Sequence, residues 1–142
     1  MSKGAFNPMS IVVRDNLNGT WTLMEGLRYY ATDGKVYDVP VGFLTDFGSI
    51  PEIFWNIPGL CPSGTQADPA YVLHDWLYCQ HRAGAMPTLT RHDADCLLLE
   101  ALDVCGVGWF RRYTIYWGVR CGGWWPWAEK DKKPIRDIKE LT

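Results

Sequence analysis

The sequence predicts a small α+β domain in which short antiparallel strands come first and helices follow. Turn signals separate short β-type runs in the first third, and helix-capping patterns open later segments. Hydrophobic residues make up 47% of the 142 residues and charged residues 21%, which is typical of a globular domain. A chain of this length can bury a core without disulfides or metals. We therefore expect one domain over residues 1–128, with a small antiparallel sheet covered by about three helices, and a charged tail over 129–142.

The first third carries the strand signals. Asn18-Gly19 is a dipeptide typical of hairpin turns, and Thr32-Asp33-Gly34 separates a second pair of β-type runs. We expect a small antiparallel sheet built from these runs. The expected strands cover residues 10–14, 20–25, 27–31, 35–39 and 41–44.

Helix signals dominate the rest of the chain. Asp68 is expected to cap a helix whose first turn contains Pro69. Thr90 and Asp93 have the spacing of a capping box, and Gly106 marks the end of the helix that they open. The expected helices cover residues 69–82, 91–105 and 109–121.

Charge and cysteine content exclude several classes of protein. A net charge of −2 and a pI near 5.9 provide no field that would draw the chain onto phosphate backbones, so nucleic acid is disfavoured as a partner. No apolar run is long enough for a transmembrane segment, and the first ten residues lack the apolar core of a signal peptide. The cysteines are odd in number and form no Cys-x-x-Cys pair, which indicates buried thiols in a reducing cytoplasm. They are Cys61, Cys79, Cys96, Cys105 and Cys121.

Several polar residues stand in segments that favour apolar side chains. Asp46 follows a predicted strand and precedes a short helix capped by Ser49, a kind of loop that often carries function. His74 and Asp75 lie in a helix that is apolar nearly all round, as does Tyr78. The side chains of His74 and Asp75 are expected to diverge and to meet different neighbours.

Asp95 is expected on the core-facing side of its helix. Leucines follow it at spacings of three, four and seven residues, which places the carboxylate on or beside the apolar stripe. A carboxylate there costs several kcal/mol, on the order of the desolvation of a polar group, unless it is paired, hydrogen-bonded or bound to a metal. Its candidate basic partners are Arg91, Arg112 and Arg120.

Two interpretations of these residues stay open. In the first, Asp46, His74 and Asp95 bind one divalent ion, Zn²⁺ or Mn²⁺, that activates water, and Asp75 joins them in catalysis. In the second, the same groups form a buried network of ion pairs and hydrogen bonds that ties the helices to the loop.

The third helix and the segment after it are rich in aromatic residues. Trp109, Tyr113, Tyr116 and Trp117 follow one side at spacings of three and four residues. We favour a core role for this side, and the alternative is a contact with a protein or a membrane surface. The segment with Trp124, Trp125 and Trp127 is expected to stay partly exposed and to form a contact surface.

The order of these motifs resembles a known family. The segments are Val39-Pro40-Val41-Gly42-Phe43-Leu44-Thr45-Asp46-Phe47-Gly48-Ser49-Ile50-Pro51, Leu73-His74-Asp75-Trp76-Leu77-Tyr78, Arg91, Ala94-Asp95, Tyr116 and Val119-Arg120. They resemble the domain-of-unknown-function family 1353 (DUF1353) of phages and prophages, although Gly48 stands where that family usually has alanine and Glu52 where a basic residue is common. The resemblance implies a phage origin and a shared polar signature at Asp46, His74, Asp75, Arg91 and Asp95, but it implies no reaction.

These observations lead to two principal functional hypotheses. The first is a metal-assisted hydrolase of a phage tail or lysis module, in which Arg91, Ser49, Tyr78 and Arg120 support the site. The second is a non-enzymatic tail or neck component of the virion whose polar residues stabilise the fold. A third is an intracellular phage protein that binds a host factor. We expect synthesis in the host cytoplasm, incorporation into the virion under the second hypothesis, and other phage proteins or a second copy as partners.

Overall fold

The computed structural model describes residues 4–18, 20–45 and 67–122. Short strands precede long helices in this part of the chain, which confirms the predicted α+β class. The elements are β1 (Ala5–Asn7), β2 (Val13–Asp15), β3 (Trp21–Leu23), β4 (Leu27–Tyr30), β5 (Val36–Val39), β6 (Leu44–Thr45), α1 (Asp68–Arg82), α2 (Arg91–Val104) and α3 (Trp109–Gly122).

The described strands form two antiparallel sheets of three strands each. One has the order β1-β4-β5 and the other the order β2-β3-β6. Both predicted hairpins are present, as β2-β3 and β4-β5. The sequence did not predict β1, which has three residues and buries only Phe6, too short a pattern to show alternation.

The β4-β5 hairpin shows why these residues form strands. Leu27 and Tyr29 of β4 are buried and lie opposite Val39 and Tyr37 of β5, so alternate side chains enter the core. The turn between the strands contains Gly34 with a φ of 89°, a left-handed conformation that glycine adopts without strain.

The helix boundaries depend on local capping chemistry. In α1 the N-cap is Ala67 and Asp68 lies in the first turn, so the expectation that Asp68 is the cap was wrong. An acid in the first turn still interacts favourably with the helix dipole. The capping box of α2 is confirmed: the amide of Asp93 donates to Oγ1 of Thr90 at 3.0 Å, and the amide of Thr90 donates to Oδ2 of Asp93 at 3.2 Å. Gly106, with a φ of 83°, follows the end of this helix.

The core lies between the helices and the sheets. Helix α1 packs on α2, β5 and β6, while α2 also contacts β1 and α3. Residues 69–79 of α1 are buried apart from Asp75, which confirms the burial expected for this helix. None of the helices in the described ranges is long and apolar enough to cross a membrane.

The cysteines do not all fill the core. Cys79 is buried, Cys96 and Cys105 are partly exposed and Cys121 is exposed. The expectation of buried thiols is therefore correct for Cys79 and wrong for Cys121, which lies in the last turn of α3. Cys61 and the predicted tail at 129–142 lie outside the described residues.

Candidate functional site

A buried carboxylate on α2 connects the three helices. Asp95 has no solvent exposure, and its Oδ1 lies 2.7 Å from Oη of Tyr78 and 2.8 Å from Nε2 of His74. Its Oδ2 accepts a hydrogen bond of 3.0 Å from Nη1 of Arg120 and lies 3.6 Å from Nη1 of Arg91. We call these five residues the Asp95 cluster.

Helical spacing assembles this cluster. His74 and Tyr78 are four residues apart on α1, so both reach α2 from one face, with ring centroids 4.4 Å apart. Arg91 and Asp95 have the same spacing on α2. Arg120 lies in the last turn of α3 and reaches back to α2.

Arg91 has a second role at the end of α3. Its Nη1 donates to the carbonyl oxygens of Arg120, at 3.1 Å, and of Val119, at 3.4 Å. Carbonyl groups in the last turn of a helix lack partners within the helix, and a cation interacts favourably with that end of the dipole. The Arg91 guanidinium therefore joins the start of α2 to the end of α3.

Electrostatics keep Asp95 ionised. Burial by itself would raise the pKa of this carboxyl, but hydrogen bonds from His74, Tyr78 and Arg120 oppose burial, and the pKa is lowered overall. Burial and the bond to Asp95 raise the pKa of Tyr78, so its hydroxyl stays protonated and donates. The hydrogen bond to Asp95 likewise raises the pKa of Arg120.

The ionised carboxylate determines the tautomer of His74. Oδ1 of Asp95 can only accept, so Nε2 of His74 must carry the hydrogen that lies between the two groups. In the neutral ring, Nδ1 then holds the lone pair. Any proton transfer or metal binding by neutral His74 would therefore involve Nδ1.

The arrangement at Asp95 does not suit a metal ligand. A carboxylate has about four acceptor positions, and here Tyr78, His74 and Arg120 fill three while Arg91 faces the fourth. Two guanidinium groups beside Oδ2 would also repel a divalent cation. Across residues 4–18, 20–45 and 67–122, no three His, Cys, Asp or Glu side chains are grouped so that they could hold a metal ion.

The other predicted site residues have different positions. Asp46 and Ser49 lie outside the described residues, as do Trp124, Trp125 and Trp127. Asp75 lies on α1 beside His74 and is partly exposed.

Two of the three expected basic partners of Asp95 are confirmed. Arg91 and Arg120 reach its carboxylate, whereas Nη1 of Arg112 pairs with Oδ1 of Asp103 at 3.2 Å. Arg112 lies in the first turn of α3, close to the C-terminal end of α2. Asp95 lies near the N-terminal end of α2. Arg112 therefore pairs with Asp103, about two turns of α2 away from Asp95.

The aromatic side of α3 was expected to be buried at least in part, and that expectation is wrong for Trp109 and Trp117, whereas Tyr113 and Tyr116 are partly buried. Trp109 is 66% exposed and Trp117 60% exposed, and Phe110 is more exposed still. The buried side of α3 instead contains Ile115 and Val119. An apolar groove follows the exposed rings.

The sequence analysis missed a second polar group on α2. Asp93 and Glu100 are seven residues apart, so they lie on the same side of the helix, with Leu97 between them. Together with Asp33 and Tyr37 of the β4-β5 hairpin they line a cleft of about 500 Å³. The spacing of Asp93 and Glu100 could have been recognised in the sequence. Their proximity to a hairpin about 60 residues earlier in the chain could not, because it depends on the tertiary structure.

Comparison with known proteins adds a family and no activity. The family model described as "Protein of unknown function (DUF1353)" matches residues 21–119. No curated protein and no solved structure matches the chain. The matched range includes the whole of the Asp95 cluster except Arg120, which follows it directly.

Proposed function

The chain belongs to the DUF1353 family, and on that premise we propose that it is a non-enzymatic structural protein whose Asp95 cluster holds the three helices together. The observation that supports the proposal is that both oxygens of the Asp95 carboxylate are already occupied. They accept hydrogen bonds from side chains of α1 and α3, and Arg91 of the same helix lies beside them. The setting that we propose, a tail or neck component of a phage particle, follows from the resemblance to phage proteins.

The energetics of a buried ion support a role in fold maintenance. Removing one partner of a buried ion pair costs about 3–5 kcal/mol, because the other charge is left uncompensated. Each donor of the cluster comes from a different turn of a helix, so the geometry around Asp95 exists only when α1, α2 and α3 are all in place. The cluster therefore stabilises this packing of the three helices, and any other packing would leave buried polar groups without partners.

Double-mutant cycles test this role. We expect Tyr78→Phe and Arg120→Met each to destabilise the protein, and each to be coupled to Asp95→Asn by about 1–3 kcal/mol, since residues of one network are not additive. The free energies of unfolding come from urea titrations followed by circular dichroism. Additive effects across both cycles would show that the groups do not act together, and the proposal would be abandoned.

A metal-assisted hydrolase is the second candidate, and one observation favours it. A histidine that binds a metal through one ring nitrogen commonly donates the other N–H to a carboxylate, and His74 donates Nε2–H to Asp95. In this version Asp95 orients His74, whose Nδ1 would be the ligand. Strand β6 packs on α1 and ends at Thr45, immediately before Asp46, the other proposed ligand.

Metal titration separates the two candidates. The hydrolase proposal requires that Zn²⁺ or Mn²⁺ raise the melting temperature and that His74→Ala abolish the rise, since a ligand that binds only the folded state stabilises it. The structural proposal requires an unchanged melting temperature on adding either ion and a large loss of stability in His74→Ala. Elemental analysis of the purified protein provides the matching measurement of bound metal.

The phage setting has its own test. If the chain is a particle component, mass spectrometry of purified particles should detect it at a fixed ratio to the major tail or capsid protein. Its presence in the lysate but absence from particles purified by density gradient would contradict the tail or neck assignment. The result of this experiment does not depend on the role of the Asp95 cluster.

A further inference from the structure

A cleft separate from the Asp95 cluster lies between the β4-β5 turn and the outer side of α2. Its volume is about 500 Å³, within the range of small-molecule sites. Its lining includes Asp33, Asp93, Glu100 and Tyr37, and the side chain of Glu100 joins the β4-β5 turn by accepting from the amide of Thr32. We call it the Tyr37 cleft.

The three carboxylates are fixed in position but carry no ion pair in the described chain. One oxygen of each accepts a backbone N–H: Asp33 from Lys35 at 2.9 Å, Asp93 from Thr90 at 3.2 Å and Glu100 from Thr32 at 2.8 Å. The second oxygen of each remains an acceptor. The cleft therefore presents three oriented carboxylates against the single ammonium of Lys35.

Tyr37 provides an independent indication of a ligand. Its side chain is 8% exposed, and its hydroxyl forms no hydrogen bond with any group in the part of the chain that the structure describes. Burial, and then the charges of Asp33, Asp93 and Glu100, raise the pKa of Tyr37. Tyr37 lines the cleft together with these three carboxylates, so a ligand in the cleft can reach its side chain.

Apolar side chains also line the cleft. Met86, Pro87 and Leu89 of the α1-α2 connection line it together with Leu97 of α2. Aliphatic side chains pack well against a methylene chain, and amphipathic groups bury their stem while the charged head meets polar partners. The cleft thus combines carboxylates with apolar side chains.

We propose that the Tyr37 cleft binds a primary alkylammonium group, with its aliphatic stem along Met86 and Leu97 and its head among Tyr37, Asp33 and Glu100. An ammonium has three donors on one nitrogen and matches separate single acceptors, whereas a guanidinium prefers the two oxygens of one carboxylate. The ammonium can belong to a free aliphatic diamine or to a lysine side chain of a partner. This site is independent of the proposed role of the Asp95 cluster.

Isothermal titration of the full chain with defined probes tests the proposal. The probes are 1,5-diaminopentane and a lysine-containing tetrapeptide, and the controls are 1-pentanol and pentanoate, which share the stem but lack the cation. We expect binding of at least one amine probe and of neither control. The diamine alone would identify a free amine, and the peptide alone a partner's lysine. Absence of binding by both amines at millimolar concentration, or equal binding of 1-pentanol, would overturn the proposal.

Isosteric variants locate the binding. Tyr37→Phe removes only the hydroxyl, and Glu100→Gln removes a charge while its Oε1 can still accept from Thr32. Each should weaken the binding of the amine by about ten- to a hundredfold, the scale of one charge-assisted hydrogen bond. Asp38→Asn is the matched control, since Asp38 adjoins Tyr37 but points to the opposite face, towards Arg28. Equal affinity of Tyr37→Phe, Glu100→Gln and Asp38→Asn, with all three folded by circular dichroism, would refute the assigned site.

Discussion

Asparagine in place of Asp95 keeps the shape of the side chain and removes its charge. Its amide nitrogen can only donate a hydrogen bond, so at one of the two oxygen positions a donor would lie against the donors of the cluster. If the nitrogen takes the position of Oδ2 it meets Nη1 of Arg120, and if it takes that of Oδ1 it meets Nε2 of His74 and Oη of Tyr78. Neither orientation restores the native bonds.

The expected loss follows from the burial of the groups left behind. Breaking a buried ion pair costs about 3–5 kcal/mol. The side chains of Arg91 and Arg120 keep 22% and 24% exposure, so water can solvate them in part. We therefore take the low end, about 3 kcal/mol, against a total stability of about 5–15 kcal/mol for a domain. For a chain of this size the melting temperature should fall by about 10 °C.

Urea titration and thermal melting, both followed by circular dichroism, measure this loss. Asp38→Asn is the control, because it makes the same chemical change in the exposed pair with Arg28, where both side chains are more than half exposed. We expect an unchanged denaturation midpoint in that control. A variant at Asp95 as stable as the control would show that the buried carboxylate contributes nothing, and the structural proposal would fail with it.

Four further outcomes are expected. Because the pKa of Asp95 is lowered in the folded state, its contribution is present above the unfolded value and is lost as the pH falls below about 4, so the acid limb of a stability profile should flatten in Asp95→Asn. Tyr29→Phe should preserve or raise stability in a thermal melt, since the hydroxyl of Tyr29 is buried with no hydrogen-bond partner among the described residues. Thr90→Ala should cost about 1 kcal/mol in urea, the usual effect of losing an N-cap, and an unchanged midpoint would contradict the capping box. The free energy of unfolding of Trp117→Ser should stay within about 0.5 kcal/mol of the wild-type value, because the ring is exposed. A large loss of stability would show that the ring is buried in the core.

Local chemistry explains the parts of the fold that could be predicted. The capping box at Thr90 and the hairpin turn at Gly34 depend on residues within a few positions of each other, so the sequence displays them directly. Strand β1 could not be predicted, because its pairing with β4 is a long-range event and its own three residues carry little pattern. The division of the strands into two sheets could not be predicted for the same reason, because it depends on long-range pairing.

The third helix shows where periodicity fails. Aromatic rings occur on most of its sides, so their spacing alone does not distinguish the buried side. The packed side has smaller residues, with Gly118 and Val119 both buried and Ile115 one turn earlier. Small side chains let two helices approach closely, and large rings do not, so shape rather than hydrophobicity determined the orientation.

The polar site was predictable in part for a different reason. Asp95 and His74 stand out because a charged or polar group on an apolar face requires partners, and Arg91 and Arg120 were among those proposed. Which donor binds which oxygen of Asp95 could not be predicted, because it depends on how the three helices pack. The contribution of Asp46 stays a prediction, since it lies outside the described residues.

The attachment of α3 has a consequence for the order in which the molecule opens. Among the described elements, α3 packs mainly on α2, whereas α1 and α2 also contact the strands. Its far end is held by the guanidinium of Arg91 and by the bond from Arg120 to Asp95. We therefore expect α3 to detach as a unit while both sheets persist, and native-state hydrogen exchange should find its amides less protected than those of α1. Loss of the Arg91 side chain should widen that difference, because the free energy of this partial opening would fall while that of global unfolding would change less.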